Sequence, residues 1–315
     1  MGLFLTILFA VVGLLLPWGI SLALRLRARG SAVFVGRMGW EPIVHSMLAY
    51  VLAFNITFFI QELFLVLPKS TVPGLTATLY HNNHDWTGTA PVAELFQGTG
   101  ALAILFSGLI FLAIAAGKAR PSFFVLWMAF HGLFQSLPQF IVGAIASGND
   151  VGRAYDYLGL GAIGETLLAL LALAAMPVAG ILLGRQFLAA AWDQRQLGSY
   201  CCRFGFLLRT AGLPALAALP IVILFRIPRE MIEVLAPPVL VPLFGYGWLQ
   251  LAAFKPAGAR GEGRSARKHR SVAFHGSGIA GHFPAGAEAG DHLLTEASLA
   301  LGAGTSLKPP RQETE

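Results

Sequence analysis

Seven stretches of this chain are almost continuously apolar over about twenty residues, the length an α-helix needs to cross about 30 Å of hydrocarbon. They lie at residues 3–24, 43–67, 92–117, 122–146, 157–183, 207–225 and 232–254. Strands are excluded, because membrane strands alternate apolar and polar residues over about ten positions and these runs do not. The first run lacks a basic leading segment and a small-residue cleavage site, and its length exceeds that of a secretion signal, so it is expected to remain as an anchor. The expectation is an all-α, polytopic transmembrane helix bundle formed by residues 1–254. Pro214, Pro220, Pro237, Pro238 and Pro242 remove backbone donors from the last two runs, which leaves a re-entrant hairpin open there.

Charge is scarce and confined to connections and the C-terminal segment. Only 12% of residues are charged, 56% are hydrophobic and the mean hydropathy is +0.67, far from a soluble composition. The net charge of +6 therefore belongs to loops and tail and makes no nucleic-acid face. Arg25, Arg27, Arg29, Arg37, Lys118, Arg120, Arg185, Arg195, Arg203 and Arg209 fall on one side of the membrane. Only Lys69, Arg153, Arg226 and Arg229 fall on the other. Retained positive charge marks the cytoplasmic side, so the N-terminus is expected outside a cell membrane and residue 255 inside. Residues 255–315 turn to Gly, Ala, Ser, Arg and His without periodicity and read as a disordered basic cytoplasmic tail. Cys201 and Cys202 are neighbours and form no disulfide framework.

Polar side chains inside spans are costly and mark a bundle interior, a water-filled cavity or a function. By helical rise, Glu62 lies about 7 Å from the expected outer surface, Gln97 about 8 Å, Gln139 and Glu165 about 10 Å, Gln135 about 16 Å, Asn55 about 18 Å and His131 about 22 Å. This asymmetry implies a polar cavity open to the outer face. His131, Gln135 and Gln139 recur every four residues and form one stripe, which equally suits hydrogen bonding between helices.

The connection of residues 68–91 contains His81, Asn82, Asn83, His84, Asp85 and Trp86. Two imidazoles and a carboxylate so close together are candidate ligands for a divalent transition metal such as zinc, with His81, His84 and Asp85 as the set. The same residues suit a turn packed at the membrane interface. Folded back over the cavity, this loop would carry His81 or His84 toward Glu62 and Glu165, with Asp150, Arg153 and Asp156 contributing from the next connection on that side. Glu62, Glu165 and His131 are then the candidate catalytic groups.

Gly159, Gly161 and Gly164 match a dinucleotide-binding pattern only literally, with no strand before them, and read as helix packing, as do Gly180 and Gly184. Lys69, Lys118 and Lys255 sit at span ends, so none is placed to carry a retinal Schiff base. Three functions remain: a membrane-embedded, possibly metal-dependent enzyme acting on a lipid or small-molecule substrate, a proton-coupled transporter, and a noncatalytic subunit of a membrane complex. The carrier reading is weakened by the lack of a visible inverted repeat.

Overall fold

The computed structural model describes residues 2–27 and 39–254. The expected tail at 255–315, together with Arg29 and Arg37, lies outside the described residues. Among the described residues, seven helices are long and apolar enough to cross a membrane: α1 (Gly2–Arg27), α2 (Glu41–Ser70), α3 (Val92–Ala116), α4 (Phe123–Ile145), α6 (Gly161–Ala189), α7 (Tyr200–Phe225) and α8 (Met231–Phe254). A short helix, α5 (Asp150–Leu158), precedes α6. One antiparallel hairpin, β1 (Thr76–Leu79) and β2 (His84–Thr87), lies between α2 and α3, with Thr76 opposite Thr87 and Leu79 opposite His84. The all-α, seven-span expectation holds, and the chain is an integral, multi-pass membrane protein. Phe106 and Ile110 on α3 and Leu167 and Leu171 on α6 are exposed large hydrophobic side chains, the surface that lipid rather than water would cover.

Two expected span starts move by more than two residues, and local chemistry explains both. The fifth span starts at Gly161 because α5 is a separate helix, capped by Asn149, whose side chain accepts from Gly152 N (3.0 Å). That helix ends at Gly159 with φ +62°, a left-handed position that glycine occupies without steric cost. A Cβ added at Gly159 or Gly161 would meet nothing within 4 Å, so this glycine run makes a turn and not the expected close helix packing. The sixth span starts earlier, at Tyr200, where the Ser199 side chain accepts from Cys202 N (3.2 Å).

The prolines of α7 and α8 do not end these helices. Each remains helical over 26 and 24 residues respectively, so the re-entrant alternative is not adopted among the described residues. A π-turn at Leu208–Gly212 precedes Pro214, and another at Val11–Leu15 precedes Pro17. A proline obstructs the carbonyl four residues earlier, and a widened turn relieves that clash.

Helix α4 is the axis of the bundle, buried over most of its length between α2, α3, α6 and α8. Small residues set the close approaches. A Cβ on Gly132 would lie 2.5 Å from Gly108 Cα of α3, and a Cβ on Gly180 would lie 2.3 Å from the Trp248 Cβ of α8, as the small-residue spacing of Gly180 and Gly184 leads one to expect. Trp127 Nε1 donates to Ser46 Oγ (2.9 Å), which donates in turn to Thr210 O (2.5 Å), tying α4, α2 and α7 through satisfied polar groups.

Candidate functional site

The hairpin, α5 and residues 226–230 all lie at one end of the bundle, because α2, α4 and α7 run toward that end and α3, α6 and α8 run away from it. Between them is a cavity of about 780 Å³. Its upper part is polar, with Glu62, His84, Asp150, Arg153, Arg226 and Arg229 on the wall. Its deeper part is apolar, with Phe9, Phe58, Phe134, Leu240, Val241 and Phe244.

Glu62 is 2% exposed, about two turns before the end of α2, and its Oε2 lies 2.7 Å from His84 Nδ1. Strand alternation delivers the imidazole. His84 and Trp86 of β2 are half-buried while Asp85 and Thr87 are exposed, so the hairpin presents every second residue to the bundle. Asn82 Nδ2 donates to Phe225 O (3.4 Å), anchoring the hairpin tip on the end of α7. A carboxylate acceptor keeps the proton on Nδ1, which leaves the lone pair on Nε2.

Gln97 of α3 joins the hairpin to α5. With its amide oriented to suit its neighbours, it donates to Asp150 Oδ1 (3.2 Å) and accepts from Trp86 Nε1 (3.1 Å). Burial raises the affinity of the Asp150 carboxyl for its proton; the nearby Glu62 carboxylate acts in the same direction, opposed by His84, Lys69 and Arg153. Arg153 makes a bidentate pair with Glu94, Nε to Oε2 (2.5 Å) and Nη2 to Oε1 (2.7 Å), at the rim. Two amides line the next level down: Gln139 Nε2 donates to Gln61 Oε1 (3.0 Å) and to Gln135 O (2.9 Å).

The stripe on α4 is real, but it does not stay open along its length. Gln135 Nε2 lies 3.3 Å from His131 Nδ1, and His131 itself is fully buried, in ring contact with Tyr50, Phe54, Trp127 and Phe130. His131 does not line the cavity, nor does Glu165, which is half-buried on α6 and acts electrostatically on Tyr155. Asn55 bonds back to Val51 O (2.8 Å) of its own helix. His81 is exposed at the hairpin tip, while His84 points to Glu62 and Asp85 Oδ1 accepts from Trp86 N (2.7 Å). Among the described residues, no three His, Cys, Asp or Glu side chains stand together as a metal-ligand set. The three candidate ligands are therefore not gathered, and of the three candidate catalytic groups only Glu62 faces the cavity.

Sequence reasoning treated Arg226 and Arg229 only as topological charges, yet both line the cavity. Arg226 is 3% exposed; its Nε and Nη2 donate to Glu233 O (3.3 and 3.0 Å), and its guanidinium lies 3.8 Å over the Phe58 ring. Burial lowers its proton affinity, to a pKa of about 10. Arg229 pairs with Glu233 Oε2 (2.7 Å) one turn along the chain. The one available signal was two arginines around Pro228 in a very short connection, with an acid at i+4. Set beside known proteins, the chain matches no family, no curated protein and no solved structure.

Proposed function

We propose that this protein is a membrane-embedded hydrolase acting on an amphiphilic ester, with Glu62 and His84 as its base. The observation that carries this reading is the 2.7 Å carboxylate–imidazole contact at the polar head of a cavity whose lower walls are apolar. Glu62 orients the ring and stabilises the imidazolium formed when Nε2 takes a proton from water. The water oxygen bonds to the ester centre, the bond to the leaving oxygen breaks, and that oxygen takes its proton from Asp150, whose burial favours the protonated form. A proton passed from His84 back to Asp150 restores both groups. The excess of Lys and Arg on the opposite connections supports a site open to the outer face of the cell membrane. A proton carrier is less well supported, because the polar stripe ends at His131 inside a cage of aromatic rings.

The test uses the purified full chain in proteoliposomes with p-nitrophenyl esters and phosphodiesters of increasing chain length. Hydrolysis should rise with chain length and fall about 100-fold or more in His84→Gln and Glu62→Gln. Hydrolysis that persists in both variants would overturn the proposal.

A further inference from the structure

Of the three arginines on the cavity wall, Arg153 and Arg229 pair with carboxylates and Arg226 does not. Arg226 is almost wholly buried, and its Nη1 has no hydrogen-bond partner among the described residues. Its other two nitrogens donate to a neutral backbone oxygen, Glu233 O, so no carboxylate hydrogen-bonds to the guanidinium, although Glu62 and Glu233 act on it through space. The neighbouring acids are engaged: Glu233 with Arg229, Glu94 with Arg153 and Glu62 with His84. A buried guanidinium with a donor to spare invites an oxyanion, and its planar fork matches phosphate oxygens.

Below Arg226 the wall turns apolar along α8, through Ala236, Pro237, Leu240, Val241 and Phe244. Side-chain contacts between α1 and α8 run from the Phe9–Phe244 ring pair (4.9 Å) toward the end opposite the hairpin, where Trp18 Nε1 donates to Leu243 O (3.3 Å). Closer to the hairpin, the first turns of α1 rest on α4 and α6, with Gly2 beside Ile145 O. Phe9 of α1 and Ile232 of α8 both line the cavity, and Leu3, Phe4 and Ile7 on the first turns of α1, with Met231 and Ile232 on the first turn of α8, are exposed where lipid would lie.

The geometry points to a phosphate-headed membrane lipid as the occupant, its phosphate on Arg226 and one chain running down the α8 wall and out between α1 and α8. This rests on the reading of the cavity as a substrate site, but it concerns binding and is tested without turnover. A volume of about 780 Å³ takes a headgroup and the first part of one chain, with the remainder in the bilayer.

Three probes separate the contributions, each measured by native mass spectrometry on the purified full chain in detergent: 1-oleoyl lysophosphatidic acid, monoolein with the same chain and no phosphate, and glycerol 3-phosphate with no chain. Lysophosphatidic acid should bind most tightly. Arg226→Gln should weaken it about tenfold or more, with Arg226→Lys between the two, and leave monoolein unchanged. Ala236→Phe should weaken both lipids by blocking the chain path. Folding of each variant is checked by its melting temperature and elution volume, and a misfolded Arg226→Gln leaves Arg226→Lys and Ala236→Phe as independent tests. Equal lysophosphatidic acid binding by folded Arg226→Gln and wild type would overturn the proposal. So would glycerol 3-phosphate binding as tightly as the lipid, which would assign the site to free phosphate. Wild-type protein that binds lysophosphatidic acid but hydrolyses none of the esters or phosphodiesters would reject the enzyme reading and keep the lipid site.

Discussion

His84 Nδ1 meets Glu62 Oε2 at 2.7 Å across a separation of 22 residues, joining a solvent-end hairpin to the buried face of a membrane helix. The contact holds β2 on the bundle and shapes the head of the cavity, so it should matter to stability as well as to chemistry. Glu62→Ala removes a charged acceptor from a half-buried imidazole and is expected to cost about 1–3 kcal/mol. In a double-mutant cycle with His84→Ala, the coupling should exceed about 0.5 kcal/mol. Thermal unfolding in detergent measures both; additive single effects would show that the two side chains are neighbours without interaction.

Asp150 gives a pH signature. Its carboxyl holds the proton more tightly in the folded protein than in the unfolded chain, chiefly through burial. Above the ordinary aspartate range near pH 4, the native state therefore binds more protons than the unfolded state. The associated stability is complete below that range and is lost as pH rises through the raised folded value. Asp150→Asn should flatten this slope, measured as melting temperature from about pH 4 to about pH 8. A wild-type slope of the opposite sign in that window, altered by the same substitution, would refute the assignment.

The contact of α6 with α8 depends on the absence of side chains. Gly180→Ala would set a methyl group 2.3 Å from the Trp248 Cβ, and the helices must separate to admit it. A loss of about 1–3 kcal/mol is expected, seen as a lower melting temperature. Gly205→Ala on α7 is the control: an added Cβ meets nothing within 4 Å, and alanine should be neutral or stabilising by up to about 1 kcal/mol. Equal effects at the two positions would show that the α6–α8 approach is not limited by packing.

Orientation is open to direct labelling. In a chain carrying Cys201→Ser and Cys202→Ser, Thr87→Cys on the exposed face of β2 should react with a membrane-impermeant maleimide on intact cells. Lys118→Cys, in the exposed connection after α3, should react only after permeabilisation. The reverse pattern would place the cavity on the cytoplasmic side.

The number of spans, their approximate extents and the α4 stripe were legible in the sequence, because each depends on local hydrophobicity and helical period. Gly180 and Gly184 could be read in the same way, since helices that approach closely need small residues wherever they meet. The pairing of His84 with Glu62 was legible only as a possibility. A loop of unknown conformation can carry either histidine inward, and the alternation of β2 selected His84 while leaving His81 outside.

Residues sharing a depth were harder to separate. Glu165 and Gln139 lie at similar distances along their helices, but depth is one coordinate and rotation about the helix axis is another. Packing turned Gln139 toward the cavity and left Glu165 off its wall, within electrostatic reach of Tyr155. Arg226 shows the same division from the other side. Its sequence position marked only a charge in a short connection, whereas its burial over Phe58, its bonds to Glu233 O and its unpartnered Nη1 arise where the ends of α7 and α8 close on α2. Local chemistry thus determined that this chain forms membrane helices and where they run. The tertiary structure alone decided which polar groups share a cavity, because that requires contacts between segments whose mutual rotation no single segment encodes.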